Sequence, residues 1–287
     1  MKKGTIFLSV LALVAIGFSS CATMATKQVD RPAIVIAAFG SSYETGLKNL
    51  EDFDSAVLEA FPDADVYWAF TANFIVKKLR ARGQNTIFAR EVEVRSLDEV
   101  YEMLLEKGQT VVLVQSLHLM VGEEYREVLT TPAYGLNVKY SHPMLFYPEN
   151  VEGSVVALSH AFGTEDDTLT ILCAHGNEKH LEYNSELIQI DSYLRENYEN
   201  TYLTVMEGEP NFDDLFAELD LEQFSKVKFI TFMLTFGDHM SNDVMGDEED
   251  ALKVRLGLEA TITDGMASDS YIQNLFISNM KDLLTQF

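Results

Sequence analysis

The chain carries one strand-and-turn pattern twice, and that repeat constrains its fold more than any other feature. An apolar run ending in Phe39-Gly40-Ser41-Ser42 is answered by Leu169–Ala174, which ends in His175-Gly176-Asn177-Glu178. The stretch Val66–Phe70 is answered by Tyr202–Met206, with Glu207 directly behind it. The run from Val111 to Gly122-Glu123-Glu124 is answered by the run from Val227 to Gly237-Asp238-His239. Read across, Phe39 stands where His175 stands, and Glu124 where His239 stands. Nearly continuous apolar runs such as Pro32–Phe39 mark parallel strands buried on both faces. Alternating with helical stretches, they predict an α/β fold of two similar lobes. Each lobe holds a small parallel sheet flanked by helices, with right-handed crossovers and a cleft between the lobes. Open parallel sheets bind ligands beyond the carboxyl ends of their strands, so the strand-end residues are where chemistry is expected.

The pattern predicts helices over Glu44–Ala60, Ala72–Arg82, Leu97–Lys107 and Glu123–Thr130, and strands over Gln109–Leu119 and Val138–Phe146. Residues 83–95 are polar and read as irregular. In the second half, helices are expected near Leu181–Asn197, Asp213–Leu221, Glu248–Leu256 and Ser270–Leu284. The lobes are read as 32–150 and 151–287, with their boundary near Pro148–Asp167, where Gly, Ser and acidic residues gather. At 287 residues and 47% hydrophobic, the chain has ample apolar surface for such a core.

The N-terminus reads as a targeting segment. Lys2 and Lys3 form a basic region, Ile6–Ile16 an apolar one, and Gly17-Phe18-Ser19-Ser20 a small-residue cleavage site before Cys21. Residues 1–20 are therefore expected to be a signal peptide, Cys21 a lipidated residue, and 21–31 a tether. The expected location is outside the cytoplasm, periplasmic or on the outer face of a membrane, held by a lipid anchor. The other cysteine, Cys173, then has no internal disulfide partner and reads as a buried apolar residue. The formal charge is −24; loss of Lys2 and Lys3 with residues 1–20 makes it −26. That field repels nucleic acid and concentrates divalent cations.

His175, Glu207 and His239 are evenly spaced, 207 − 175 = 32 and 239 − 207 = 32 positions apart. Even spacing of strand ends brings three ends of a repeated unit to one rim. Two neutral imidazoles and a carboxylate suit Co²⁺, Ni²⁺, Fe²⁺ or Zn²⁺. Each residue alone has a plainer reading, as a hydrogen-bonded histidine or a solvated carboxylate; the joint placement carries the metal reading. No His-Glu-x-x-His motif is present, which argues against a hydrolytic zinc enzyme.

Gln115-Ser116-Leu117-His118, Gly122-Glu123-Glu124-Tyr125, Ala174-His175-Gly176 and Gly237-Asp238-His239-Met240-Ser241-Asn242-Asp243 together resemble the motifs of the anaerobic sirohydrochlorin cobalt chelatases. These are ATP-independent (class II) tetrapyrrole chelatases, akin in fold to ferrochelatase. The similarity runs from about Ala33 to the C-terminus, and Phe39-Gly40-Ser41-Ser42-Tyr43 matches the family's opening turn. The resemblance implies insertion of Co²⁺ into sirohydrochlorin, in anaerobic cobalamin biosynthesis. It implies His175, Glu207 and His239 as metal ligands, His175 also as proton acceptor, and Glu124 as a pocket carboxylate in proton removal or metal guidance. Where the family has Ser-Trp, this chain has Ala251-Leu252.

For His118 the residues leave three roles open: pocket lining, axial ligation of a haem iron, or a satisfied core histidine. The macrocycle carries many carboxylates, so local cations must oppose the overall charge; Lys77, Lys78, Arg80 and Arg126 lie just after strand ends. Two other readings stand beside the cobalt chelatase. One is an exported, non-enzymatic tetrapyrrole- or metal-binding lipoprotein; the other is a chelatase for Fe²⁺ or Ni²⁺. A homo-oligomer is also expected to be compatible with this fold.

Overall fold

The computed structural model describes residues 31–287; the signal-like segment, Cys21 and most of the tether lie outside the described residues. The first half runs β1 (Ala33–Ala38), α1 (Glu44–Ala60), β2 (Val66–Phe70), α2 (Asn73–Ala81), β3 (Thr86–Ile87), β4 (Val92–Glu93), α3 (Leu97–Glu106), β5 (Val111–Leu117), α4 (Glu123–Thr130), β6 (Asn137–Ser141) and α5 (Pro148–Leu158). The second runs β7 (Thr168–Gly176), α6 (Ser185–Asn197), β8 (Thr201–Glu207), α7 (Phe212–Glu218), β9 (Lys226–Thr231), α8 (Leu252–Leu256), β10 (Glu259–Ile262) and α9 (Ser270–Leu284).

Two four-stranded sheets form, in the orders β2-β1-β5-β6 and β8-β7-β9-β10, and every pairing in them is parallel. The orders coincide once β1 is matched with β7, so the sequence repeat is a repeat of topology. Alternation along β1 sends Ile34, Ile36 and Ala38 to one face and Ala33, Val35 and Ala37 to the other, and all are buried. The outer face of the first sheet packs on α3 and α4 through Leu97, Leu104, Tyr125 and Val128. The outer face of the second packs on α7 and α8 through Phe212, Leu215, Leu252 and Leu256. The inner faces of both sheets share one core, filled from α1, α2, α5, α6 and α9. A central helical layer thus lies between two sheets, and the cleft opens at the carboxyl ends of the strands.

Several elements differ from the sequence expectation. Residues 83–95 hold the short antiparallel hairpin of β3 and β4. The strand expected to reach Phe146 stops at Ser141, because His142-Pro143 follows and Pro143 removes a ladder donor. The expected boundary segment holds α5, which begins on Pro148, a residue suited to a first helical turn. The polar edge strand β10 carries no apolar run by which to recognise it. Helix α9, counted with the second lobe from its sequence position, packs against β5 and β6 of the first sheet. Among the described residues no helix is long and apolar enough to cross a membrane.

Candidate metal and macrocycle cleft

The first turn of each lobe is built on a glycine with left-handed backbone, Gly40 (φ +96°) and Gly176 (φ +73°). A Cβ at Gly176 would lie 2.1 Å from the Glu207 carbonyl oxygen, and one at Gly40 would lie 2.8 Å from the Phe70 ring. Both positions demand glycine, by conformation and by space. The tight turns leave the preceding residues, Phe39 and His175, lining the cleft between the lobes. Phe70 is core packing beneath Gly40.

The cleft has two adjoining chambers. One, of about 270 Å³, is lined by Phe39, His118, Met120, Glu124, His175 and Tyr183 among others. The second, of about 430 Å³, is lined by Tyr43, Phe74, Lys78, Asp238, His239 and Met240 among others. Phe39, Gly40, His175, Met233 and Thr235 border both, so His175 stands at the junction. Glu124 shares the first chamber with His175, and His239 shares the second.

His175 and His239 are brought together: their ring centroids are 4.8 Å apart and the rings nearly perpendicular, at 87°. Nδ1 of His175 lies 2.8 Å from the Gly176 carbonyl oxygen, an acceptor only, so Nδ1 carries the hydrogen and donates it. Nδ1 of His239 lies 2.6 Å from a carboxylate oxygen of Asp243. Both contacts leave the Nε2 lone pairs for a metal or a proton, the arrangement common to metal-binding imidazoles. His239 opens a short π-helical turn, Met240–Val244, and Asp243 follows it by four residues. The i, i+4 spacing was a sequence signal for this partner.

The loop bearing His239 is held from the other lobe. Thr45 Oγ1 donates to the Phe236 carbonyl at 2.9 Å, Asn49 Oδ1 accepts from the Phe236 amide at 2.7 Å, and the Tyr43 hydroxyl donates to Asp238. The last bond is the main reason the Tyr43 hydroxyl is held above its ordinary pKa. Sequence reasoning gave Tyr43, Thr45 and Asn49 no such part, since nothing local at the start of α1 announces contacts 187 to 195 positions away.

Glu207 is placed differently. It ends β8 in register with Gly176, one position beyond His175, and does not line either chamber. Its carbonyl oxygen accepts from the buried Asn184 amide at 3.4 Å, which also donates to the Asn177 carbonyl at 3.1 Å. Among the described residues no three His, Cys, Asp or Glu side chains are grouped so as to hold a metal ion. The imidazole pair is formed; the carboxylate stands one pleat out of step with it.

His118 is buried in the wall of the first chamber. Its Nδ1 lies 2.8 Å from Ser116 Oγ and its Nε2 3.3 Å from Thr71 Oγ1. Burial pushes its pKa down to about 4. With both nitrogens engaged by hydroxyls, it does not fit axial haem ligation and is a satisfied wall residue. Cys173 is fully buried, which pushes its thiol pKa far up, so the thiolate form is strongly disfavoured. His142 bonds Tyr125, His160 contacts Asp269 and His180 contacts Glu123 and Glu182, all away from the imidazole pair.

Residues 32–285 match the family model described as cobalt chelatase (CbiK). The chain is 25% identical over 264 residues to the sirohydrochlorin cobaltochelatase of Salmonella typhimurium, covering 88% of this chain and 97% of that one. It is 28% identical over 242 residues to the sirohydrochlorin cobaltochelatase CbiKC of Nitratidesulfovibrio vulgaris, covering 79% and 80%. Its fold is similar to that of SirB from Bacillus subtilis, solved with Fe³⁺, at a TM-score of 0.62, 14% identity, and coverage of 89% and 96%.

Proposed function

Because the chain belongs to the CbiK cobalt chelatase family, we propose that its cleft inserts Co²⁺ into sirohydrochlorin without ATP, in the anaerobic route to cobalamin. The observation that carries this reading is the imidazole pair: two histidines 4.8 Å apart, each tethered through Nδ1, at the rim of an interlobe cleft. His175 and His239 hold the incoming ion through Nε2. Glu207 leaves the sheet on the other face from His175, so its entry into the ligand set requires the end of β8 to move.

Metallation replaces two pyrrole N–H protons by one divalent ion, so the site needs weak ligands and a base together. One imidazole nitrogen cannot hold the metal and take a proton at once. Glu124, which shares the first chamber with His175, takes the protons while the histidines present the metal. The apolar walls, Phe39, Met120 and Met233 among them, grip the flat ring, and its bending exposes the nitrogen lone pairs. Delivery outside the cytoplasm on a lipidated Cys21 is part of the same reading, supported by the leader-like segment 1–20. That segment also favours a second reading, a lipoprotein that carries a tetrapyrrole without metallating it.

The test is an anaerobic assay of the full chain with sirohydrochlorin and Co²⁺, Fe²⁺ or Ni²⁺ in parallel, read by macrocycle absorbance. Cobalt-dependent turnover is expected, lost in His175→Ala and in His239→Ala with circular dichroism unchanged. Near-normal turnover in either variant overturns the site. Tight macrocycle binding with no turnover by the wild type selects the carrier.

A further inference from the structure

A macrocycle rich in carboxylates meets a protein of net charge −24, and the long-range field opposes the encounter. Attraction must therefore be local. Of the cations anticipated near strand ends, Arg80 is spent on Glu99, with contacts of 2.9 and 2.6 Å. Neighbouring Arg82 donates to the Ser42 carbonyl at 3.0 Å, and Lys77 and Arg126 line neither chamber. Lys78 is the one lysine or arginine among the residues lining the two chambers. Among the described residues it has no carboxylate within 4.0 Å.

Its surroundings suit a flat, acid-rimmed ligand. Lys78 follows Phe74 by four positions on α2, so both lie on the same helical face. Phe74 meets Phe39 edge to face, with centroids 5.7 Å apart, and these rings remain 59% and 40% exposed. The Lys78 ammonium stands 5.7 Å from the centre of the Tyr43 ring, whose hydroxyl bonds Asp238, the neighbour of His239. An apolar aromatic shelf thus leads to an uncompensated cation at the rim of the chamber holding His239.

We infer that Lys78 binds a peripheral carboxylate of the macrocycle and thereby sets which edge of the ring enters the cleft. The inference rests on the tetrapyrrole reading of the cleft. The shelf takes the ring face, while the ammonium takes a rim carboxylate as the ring displaces water from between them. Lys78 touches no reacting atom, so its contribution is to affinity and orientation.

The experiment compares wild type, Lys78→Ala, Lys78→Glu and Lys77→Ala. Co²⁺ insertion is followed by steady-state kinetics, and binding of the metal-free macrocycle by fluorescence quenching. Loss of a partly desolvated ion pair predicts a rise of roughly three- to tenfold in KM and Kd for Lys78→Ala, with kcat within roughly twofold. Lys78→Glu is expected to raise both further, and Lys77→Ala to match wild type. With the peripheral carboxylates esterified, wild type and Lys78→Ala should bind alike. Unchanged KM and Kd in both Lys78 variants, or an equal loss with the ester, overturns the inference. Failure of the wild type to metallate overturns the chelatase reading, and the quenching measurement still decides Lys78.

Discussion

Acid should weaken this protein through His118, in a window that its surroundings define. Buried between Ser116 and Thr71, the ring has a pKa near 4, against an ordinary 6.5. The folded value is the lower one, so between these limits the unfolded chain binds more protons than the folded one. Stability from this group is fully present above about pH 6.5 and is lost as pH falls toward 4. Linkage gives a loss of about 2 kcal/mol between roughly pH 7.5 and 5, and about 3 kcal/mol once both states are protonated. Most carboxylates remain ionised over the first interval, so the comparison isolates the histidine well. The measurement is urea unfolding at both pH values for wild type and His118→Gln, which keeps a donor and an acceptor but cannot titrate. The variant should be less stable at the higher pH and lose roughly 2 kcal/mol less on acidification. Parallel decline of the two proteins would show that the buried ring does not stay neutral, and would refute the reasoning.

Glu124→Gln should slow metal insertion by roughly 10²–10⁴-fold with Co²⁺ affinity nearly unchanged; if Glu124 serves only the N-terminal dipole of α4, melting temperature shifts slightly and rate does not. Asp243→Asn weakens the anchor on His239 Nδ1 and should cost roughly 10- to 100-fold in metal affinity or activity, read by Co²⁺ titration; an unchanged affinity removes Asp243 from the site. Cys21→Ser should release the chain from membranes or leave it unprocessed, checked by fractionation; a wild type found wholly in the cytoplasmic fraction rejects the anchor.

What could be read from the sequence is what depends on local pattern. The apolar run of β1, the periodicity of α1 and the echo of Phe39-Gly40 in His175-Gly176 lie in short segments, and all recur in the structure. The closeness of His175 and His239 agrees with the even spacing of strand ends in the second half, since β7 and β9 pair and their ends meet at one rim. Long-range choices were not legible. The amphipathic face of α9 announces burial but not which sheet buries it. Glu207 had the right spacing, yet spacing along the chain is blind to pleat, and its register with Gly176 sets its side. The partners of His118 differ again: Ser116 lies two positions before it, on the same strand face, whereas Thr71 comes from the turn after β2.

The docking of α9 on the first sheet has a consequence for how the molecule is made. Ile272, Phe276 and Met280 complete a core begun by Ile34 and Ile36, and the Phe276 ring meets Phe53 edge to face at 5.6 Å. The inner face of β5 and β6 therefore waits for the last helix of the chain before it is covered. Such widely separated contacts slow folding and keep apolar surface exposed while the chain emerges. An N-terminal half released alone should accordingly stick to holding chaperones, and assembly of the two lobes should occur as one late, concerted event rather than lobe by lobe.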